Sequence, residues 1–315
     1  MTEASEGVGS TVLLRAGGEG LMSGETLTVV EFTDPACPWA WGSEPKFRWL
    51  RTALDGLAEW RRVYGILFDD DDDPAPDPDA EAAWYHRYIT EIAAHTGAPY
   101  ASRLRWVARS SRPSSLAAKA AEAQGAEVAA RVLRRLRETT FLLGTPADST
   151  ETVLDAVTGV PGLDHARLSR DLGSDGVRSA VRRDWAETRA PFPEVLTVEG
   201  PGPHPGRAKE VGGRYRFALP TLVFTGPAGC AVVPGWRELG EYVSAAERVA
   251  PGVRLTVQRR TATELLERHR SVTGPELALF TGSADPPPGA VRVDSAGGPV
   301  WLHPSEAATQ PVLRR

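Results

Sequence analysis

The stretch FTDPACPWAWGSEP, residues 32–45, decides how this chain is read. It holds Cys37, one of only two cysteines. Before it lies a short β-branched apolar run, residues 26–31, which predicts a buried strand. After it, Phe47, Leu50, Leu54 and Leu57 recur at helical spacing, with Pro38 suited to the first helical turn. EWRRVYGILF, residues 59–68, then reads as a second strand, so the opening unit is β-α-β. A thiol at a strand-to-helix junction meets unpaired backbone N–H groups and the positive end of the helix dipole, both of which favour the thiolate. Dithiol exchange needs a second cysteine three positions on to resolve the mixed disulfide, and position 40 is Ala.

Outward from this unit, DDDDDPAPDPD (residues 69–79) is a loop by charge density and proline content. A helical block follows from about residue 80 to 189, with Ser114 or Ser115 as N-cap of an Ala-rich helix and Asp175 as N-cap of the last one. The chain returns to β structure with GRYRFALPTLVFTGPAGCAVVPGW: alternation at Tyr215 to Phe217, a strand at residues 221–224, a GPAG turn and a return strand at residues 230–233. A closing helix reads over residues 236–250. The remainder carries a capping box, Thr261 with Glu264, then a short helix and a hairpin pattern, which together hint at a small winged-helix-like module. The expected organisation is a disordered segment at 1–25, a first α/β part at 26–70, an inserted helical domain at 71–190, a second α/β part at 191–253 and a C-terminal appendix at 254–315.

Composition narrows the classes. The 315 residues carry a net charge of −5, which gives no general attraction to nucleic acid. The N-terminus lacks a basic start followed by an apolar run, so no signal peptide is expected, and no stretch approaches a membrane span. Two distant cysteines argue against a disulfide framework. These features predict a cytoplasmic protein. Cys230 lies ten residues after Pro220, with a strand between them that carries the chain about 13 Å from the first strand's start. Disulfide geometry needs Cα atoms within about 7 Å, so Cys37 and Cys230 are predicted not to bond.

The order β-α-β, helical insertion, β-β-α, with Asp34-Pro35-Ala36-Cys37-Pro38-Trp39-Ala40-Trp41 and Ala218-Leu219-Pro220-Thr221, resembles the DsbA family of the thioredoxin superfamily. Within it the motif is similar to the actinobacterial FrnE-like proteins and to the YjbH/SpxH adaptor group. The resemblance covers about residues 26–250. It implies a thioredoxin-like (DsbA-type) α/β fold, a cis peptide at Pro220 facing Cys37, and a Leu219 backbone free to bind an extended thiol substrate. Cys37 would be the sole nucleophile and Pro220 its partner. Pro38, Trp39, Trp41, Leu219, Thr221 and His86 would line the substrate. No bound cofactor is expected, and an actinobacterial-type host would supply a low-molecular-weight thiol of the mycothiol kind.

Three uses of a monothiol site follow: an oxidoreductase or thiol transferase working through mixed disulfides, a transferase or isomerase of the kappa-class glutathione transferase kind, or a redox-silent adaptor. The histidines, His86 included, show no metal spacing, and the run Asp69 to Asp73 lacks the glycine and terminal glutamate of a calcium loop. Between residues 103 and 137 stand eight Arg and one Lys, with Arg131, Arg134, Arg135 and Arg137 on one helix. They read either as a solvated face or as a face for an anionic cosubstrate or acidic partner protein. Arg259, Arg260, Arg268 and Arg270 suggest a weaker DNA-contacting reading of the appendix, against which the net charge weighs.

Overall fold

The computed structural model describes residues 12–14, 26–69, 75–200 and 202–313. In chain order the elements are β1 (Val12–Leu14), β2 (Leu27–Thr33), α1 (Pro38–Ala53), β3 (Ala58–Tyr64), α2 (Pro78–Thr96), α3 (Arg112–Glu122), α4 (Ala126–Phe141), α5 (Thr150–Ala156), α6 (His165–Leu172) and α7 (Asp175–Thr188). Then come β4 (Lys209–Val211), β5 (Arg214–Arg216), β6 (Thr221–Gly226), β7 (Gly229–Pro234), α8 (Leu239–Val249), α9 (Ala262–His269), β8 (Ser271–Thr273), α10 (Gly274–Thr281), β9 (Val291–Val293), β10 (Val300–Leu302) and α11 (Pro304–Ala307). The β-α-β opening, the helical block and the β-β-α return stand where the apolar periodicities put them. The segment expected to be disordered at 1–25 lies outside the described residues except at 12–14, where a strand pairs with β7 instead. Asp70 to Asp73 of the acidic loop also lie outside them.

Two compact units divide the chain. The first comprises residues 1–33, 50–65 and 186–256. Its five-stranded sheet has the order β1-β7-β6-β2-β3, with β2 and β3 parallel and the remaining pairs antiparallel. β2 is fully buried at Val29, Glu31 and Thr33, and Glu31 is held by Arg62 Nε at 3.1 Å, Trp60 Nε1 at 2.9 Å and Arg51 at 3.4 Å. A buried carboxylate in a sheet is tolerable only with such donors.

The second unit comprises residues 34–49, 66–185 and 257–315. The C-terminal segment is therefore part of the same body as most of the helical block, rather than a separate module. Its three strands form a sheet of order β8-β10-β9, and the hairpin read at 291–304 is β9–β10. The expected caps shift. Ser114 and Ser115 lie inside α3, which starts at Arg112 behind Ser111, because Pro113 sets the first turn. For α7 the Ser174 hydroxyl, not Asp175, accepts the Val177 N–H at 3.3 Å. The Thr261–Glu264 capping box is formed as read.

Charge fills the interior of this unit. Glu276 on α10 accepts from Arg48 of α1 at 2.9 Å and from Arg134 of α4 at 3.2 Å. Glu138 on α4 accepts from Arg134 at 2.7 Å, from Gln310 at 2.6 Å and from the Ser271 hydroxyl of β8. Arg137 pairs with Glu44 of α1, and Arg135 with Glu306 of α11. Arg134, Arg135 and Arg137 are 4%, 1% and 0% exposed, so they form neither a solvated face nor a partner-binding face. The helix that carries them is a core helix whose cations are neutralised by Glu138 one turn away and by carboxylates remote in sequence.

Removing one member of a buried, hydrogen-bonded ion network leaves its partners charged and dry, at a cost of about 3–5 kcal/mol. Glu276→Gln is expected to lower unfolding free energy by that amount in urea titration. A loss below about 1 kcal/mol would show that the network is not what holds the C-terminal segment in the unit.

Candidate functional site

In the second unit, the turn before α1 is organised by Asp34. Its carboxylate is fully buried and accepts from the Ala36 N–H, the Leu67 N–H and the Ser111 hydroxyl, each at 2.8 Å. The Cys37 N–H donates to the Asp34 carbonyl at 3.2 Å, which closes the turn and starts the helix at Pro38. Cys37 thus sits at the N-terminus of α1, and the Ala40 N–H points at its Sγ at 3.4 Å. That is the arrangement that favours a thiolate. The residue is nonetheless only 3% exposed, and Ala40 is fully buried.

The two tryptophans around the cysteine do not act as a pair of flat walls. Trp39 donates from Nε1 to the Tyr88 hydroxyl at 3.0 Å and stacks on His95. Trp41 is a core residue of the unit. It donates to the Pro99 carbonyl at 2.8 Å, stacks on Phe141 and carries the Arg134 guanidinium 4.5 Å above its ring. Trp41 is 3% exposed, and these contacts hold its ring in the core of the unit. Gly42 is required here, since a Cβ would meet the Thr96 side chain of α2 at 2.6 Å. Tyr85 and Tyr88 are the titratable groups that sense Cys37. Burial pushes both phenols above their usual range, and the negative charge of a Cys37 thiolate raises them further. His86, expected over the thiol, instead bonds through Nε2 to the Ala101 carbonyl at 2.9 Å and packs against Tyr100.

In the first unit, the Leu219–Pro220 peptide is cis. Leu219, Pro220 and Thr221 are all buried, and the Thr221 hydroxyl donates to the Ala218 carbonyl at 2.6 Å. The Leu219 backbone, which the resemblance implied would be free, has one carbonyl lone pair engaged within the protein. Its carbonyl is 2.8 Å from His204 Nε2, so the neutral ring must donate there. His204 is positioned in turn by Arg237, which donates to the His204 and Pro205 carbonyls at 2.8 and 2.6 Å. Gly206, at φ +85°, lets this loop come within 2.4 Å of the Pro234 carbonyl as measured from a built Cβ, a space no side chain could occupy. His204 was invisible in the sequence as a site residue. It lies in a Pro/Gly loop, and its partner is a backbone atom 15 residues away. Both cysteines are free. Cys230 pairs in register with Thr225, near the hairpin turn and far along β6 from Pro220, and burial pushes its thiol up.

Burial lowers His204 to about 4. With an unfolded value of about 6.5, the unfolded chain takes up a proton that the folded ring refuses. Stability is therefore intact above pH 6.5 and falls as pH drops from 6.5 to 4, by about 3 kcal/mol in all. The difference between urea midpoints at neutral and mildly acidic pH should be smaller for His204→Gln than for the wild type. Equal acid losses in both proteins would remove His204 from the account.

The family model described as thioredoxin matches residues 31–190. Two curated relatives named ClpXP adapter protein SpxH align at 30% identity. The one from Shouchella clausii aligns over 173 residues, 54% of this chain and 56% of the relative. The one from Halalkalibacterium halodurans aligns over 174 residues, 52% and 54%. The chain thus spans about half the length of the curated relatives it matches. A solved structure from Nitrosomonas europaea, provisionally assigned as a protein disulfide isomerase, superposes with a TM-score of 0.53 at 12% identity, covering 71% of this chain and 96% of that one. The chain belongs to the thioredoxin family, with a DsbA-type α/β fold and additional helices.

Proposed function

We propose that this chain is a polypeptide-binding, adaptor-type member of the thioredoxin family in which Cys37 does not exchange disulfides. The observation that carries this reading is the state of the motif. Cys37 is 3% exposed, and the position that would hold its resolving partner is a fully buried Ala40. A nucleophile must reach its electrophile, and a mixed disulfide needs a second thiol to release it. The Leu219 carbonyl is also engaged by His204, which withdraws an acceptor that an extended thiol peptide would use. The 30% identity to two ClpXP adapter proteins over half the chain supports the same direction. No described helix is long and apolar enough to cross a membrane, and a cytoplasmic setting is part of the proposal.

A second reading keeps Cys37 as the sole nucleophile of a thiol-dependent oxidoreductase or transferase. Its support is the Ala40 N–H aimed at Sγ on the helix N-terminus. In it, the Cys37 thiolate displaces one thiol from an external disulfide and forms a mixed disulfide. A low-molecular-weight thiol, of the mycothiol class, then attacks that bond and releases Cys37 as thiolate.

Iodoacetamide labelling of Cys37 against pH separates the two. The binding reading expects labelling that is slow in the folded protein and rapid in urea, with any half-point at or above the model thiol value of about 8.5. Fast labelling with a half-point well below that value would overturn it in favour of the enzyme.

A further inference from the structure

With Arg134, Arg135 and Arg137 consumed in the core of the second unit, its other arginines fall into a different pattern. The segment running from Tyr100 to Arg105 crosses the surface as a ridge fixed by backbone bonds. The Ala101 N–H donates to the Phe141 carbonyl at 2.6 Å, the Arg105 N–H to the Gly144 carbonyl at 2.8 Å, and the Ala296 N–H to the Tyr100 carbonyl at 2.8 Å. Gly144, at φ +69°, lets the ridge approach so closely that a Cβ there would fall 2.1 Å from the Arg103 carbonyl oxygen. Leu104 is buried in the core of the unit at 5% exposure, and Arg103 and Arg105 on either side of it are exposed. The ridge therefore displays two guanidiniums from a backbone that is already ordered.

Two clefts share this ridge as a common wall. One, of about 890 Å³, runs from Arg103 and Arg105 to Leu142, Leu143 and the residues 293–296. The other, of about 530 Å³, runs from the same two arginines to His86 and Arg87 on α2. Arg87, Arg103 and Arg105 have no carboxylate partner among the described residues. Of the acidic side chains in the linings, Asp294 is already bound by Arg292 at 2.7 Å, which leaves Asp79.

We propose that this double cleft binds an acidic, extended peptide segment of a partner protein. It rests on the binding reading above and gives that reading an address. Three unpaired guanidiniums on an otherwise acidic chain are a local charge complement to carboxylates, which they bind in fork geometry. Two clefts meeting at one ridge suit an elongated ligand rather than a compact one. A polynucleotide would extend past the patch onto a chain of net charge −5, and that repulsion argues for a short run of carboxylates. Because the ridge is fixed before binding, little ordering cost falls on the protein side.

The test is fluorescence anisotropy of a fluorescein-labelled hexaglutamate peptide titrated with the full chain at low salt. Saturable binding is expected that weakens as salt is added. Arg103→Glu combined with Arg105→Glu should weaken it by about tenfold or more. Arg178→Glu, an exposed arginine on α7, should leave it within about twofold. Circular dichroism of the double variant checks that it is folded, and Arg87→Glu alone should give a smaller loss in the same direction. The proposal is overturned by absent binding in the wild type, by equal losses in Arg178→Glu, or by an oligothymidylate of equal charge competing as well as unlabelled hexaglutamate. Cys37 labelling decides the binding reading and this titration decides the address, so either can fail alone.

Discussion

The second unit depends on one interaction, the meeting of Arg134 and Arg48 at Glu276. Burying charge is costly, and the cost is met only when every charge in the group is paired and hydrogen-bonded. Here Arg48, Arg134, Arg135 and Arg137 are balanced by Glu44, Glu138, Glu276 and Glu306, with Ser271 and Gln310 occupying further carboxylate lone pairs. The charges come from α1, α4, α10 and α11, so no one of these elements can leave without stranding a charge on another. This constraint turns the C-terminal segment from an accessory into part of the body that carries Cys37. It also holds Trp41 in the core: its ring is the apolar lid on the Arg134 guanidinium.

The thiol motif shows which parts of a thioredoxin site survive without the second sulfur. Asp34 still fastens the turn through three donors, the helix still opens at Pro38, and the peptide before Pro220 is still cis. These features position backbone and side chains around the turn and the proline. Within the second unit Cys37 is 3% exposed, and within the first the Leu219 carbonyl accepts from His204.

The alternation of strand and helix was legible from residue 26 to 250 because apolar periodicity is a local signal. The Cys37 turn was legible because proline, cysteine and a strand end coincide within a few residues. The role of α4 was not. Its arginines have the spacing of a wet, charged face, and apart from Glu138, one turn on, the carboxylates that neutralise them stand 93 to 171 residues away. Long-range ion pairs leave no mark in a local window. His204 was missed for a related reason, since a histidine that bonds to a backbone carbonyl has no side-chain partner to reveal it. Asp34 was visible as a letter of the motif, but its clamp on Ser111, 77 residues on, was not.

The same separation has a consequence for the order in which the chain is made. Arg134 leaves the ribosome 142 residues before Glu276. At about 5–20 residues per second, that is a delay of about seven to thirty seconds. Throughout it, Arg134 and Arg135 lack the carboxylates of Glu276 and Glu306, while Arg137 already has Glu44 upstream, so α4 cannot complete its final core. The nascent helical block stays partly hydrated until the segment that carries Glu276 and Glu306 emerges. Synthesis of that segment lets the earlier part dehydrate, and a chain terminated before Glu276 keeps part of its cationic helix in water.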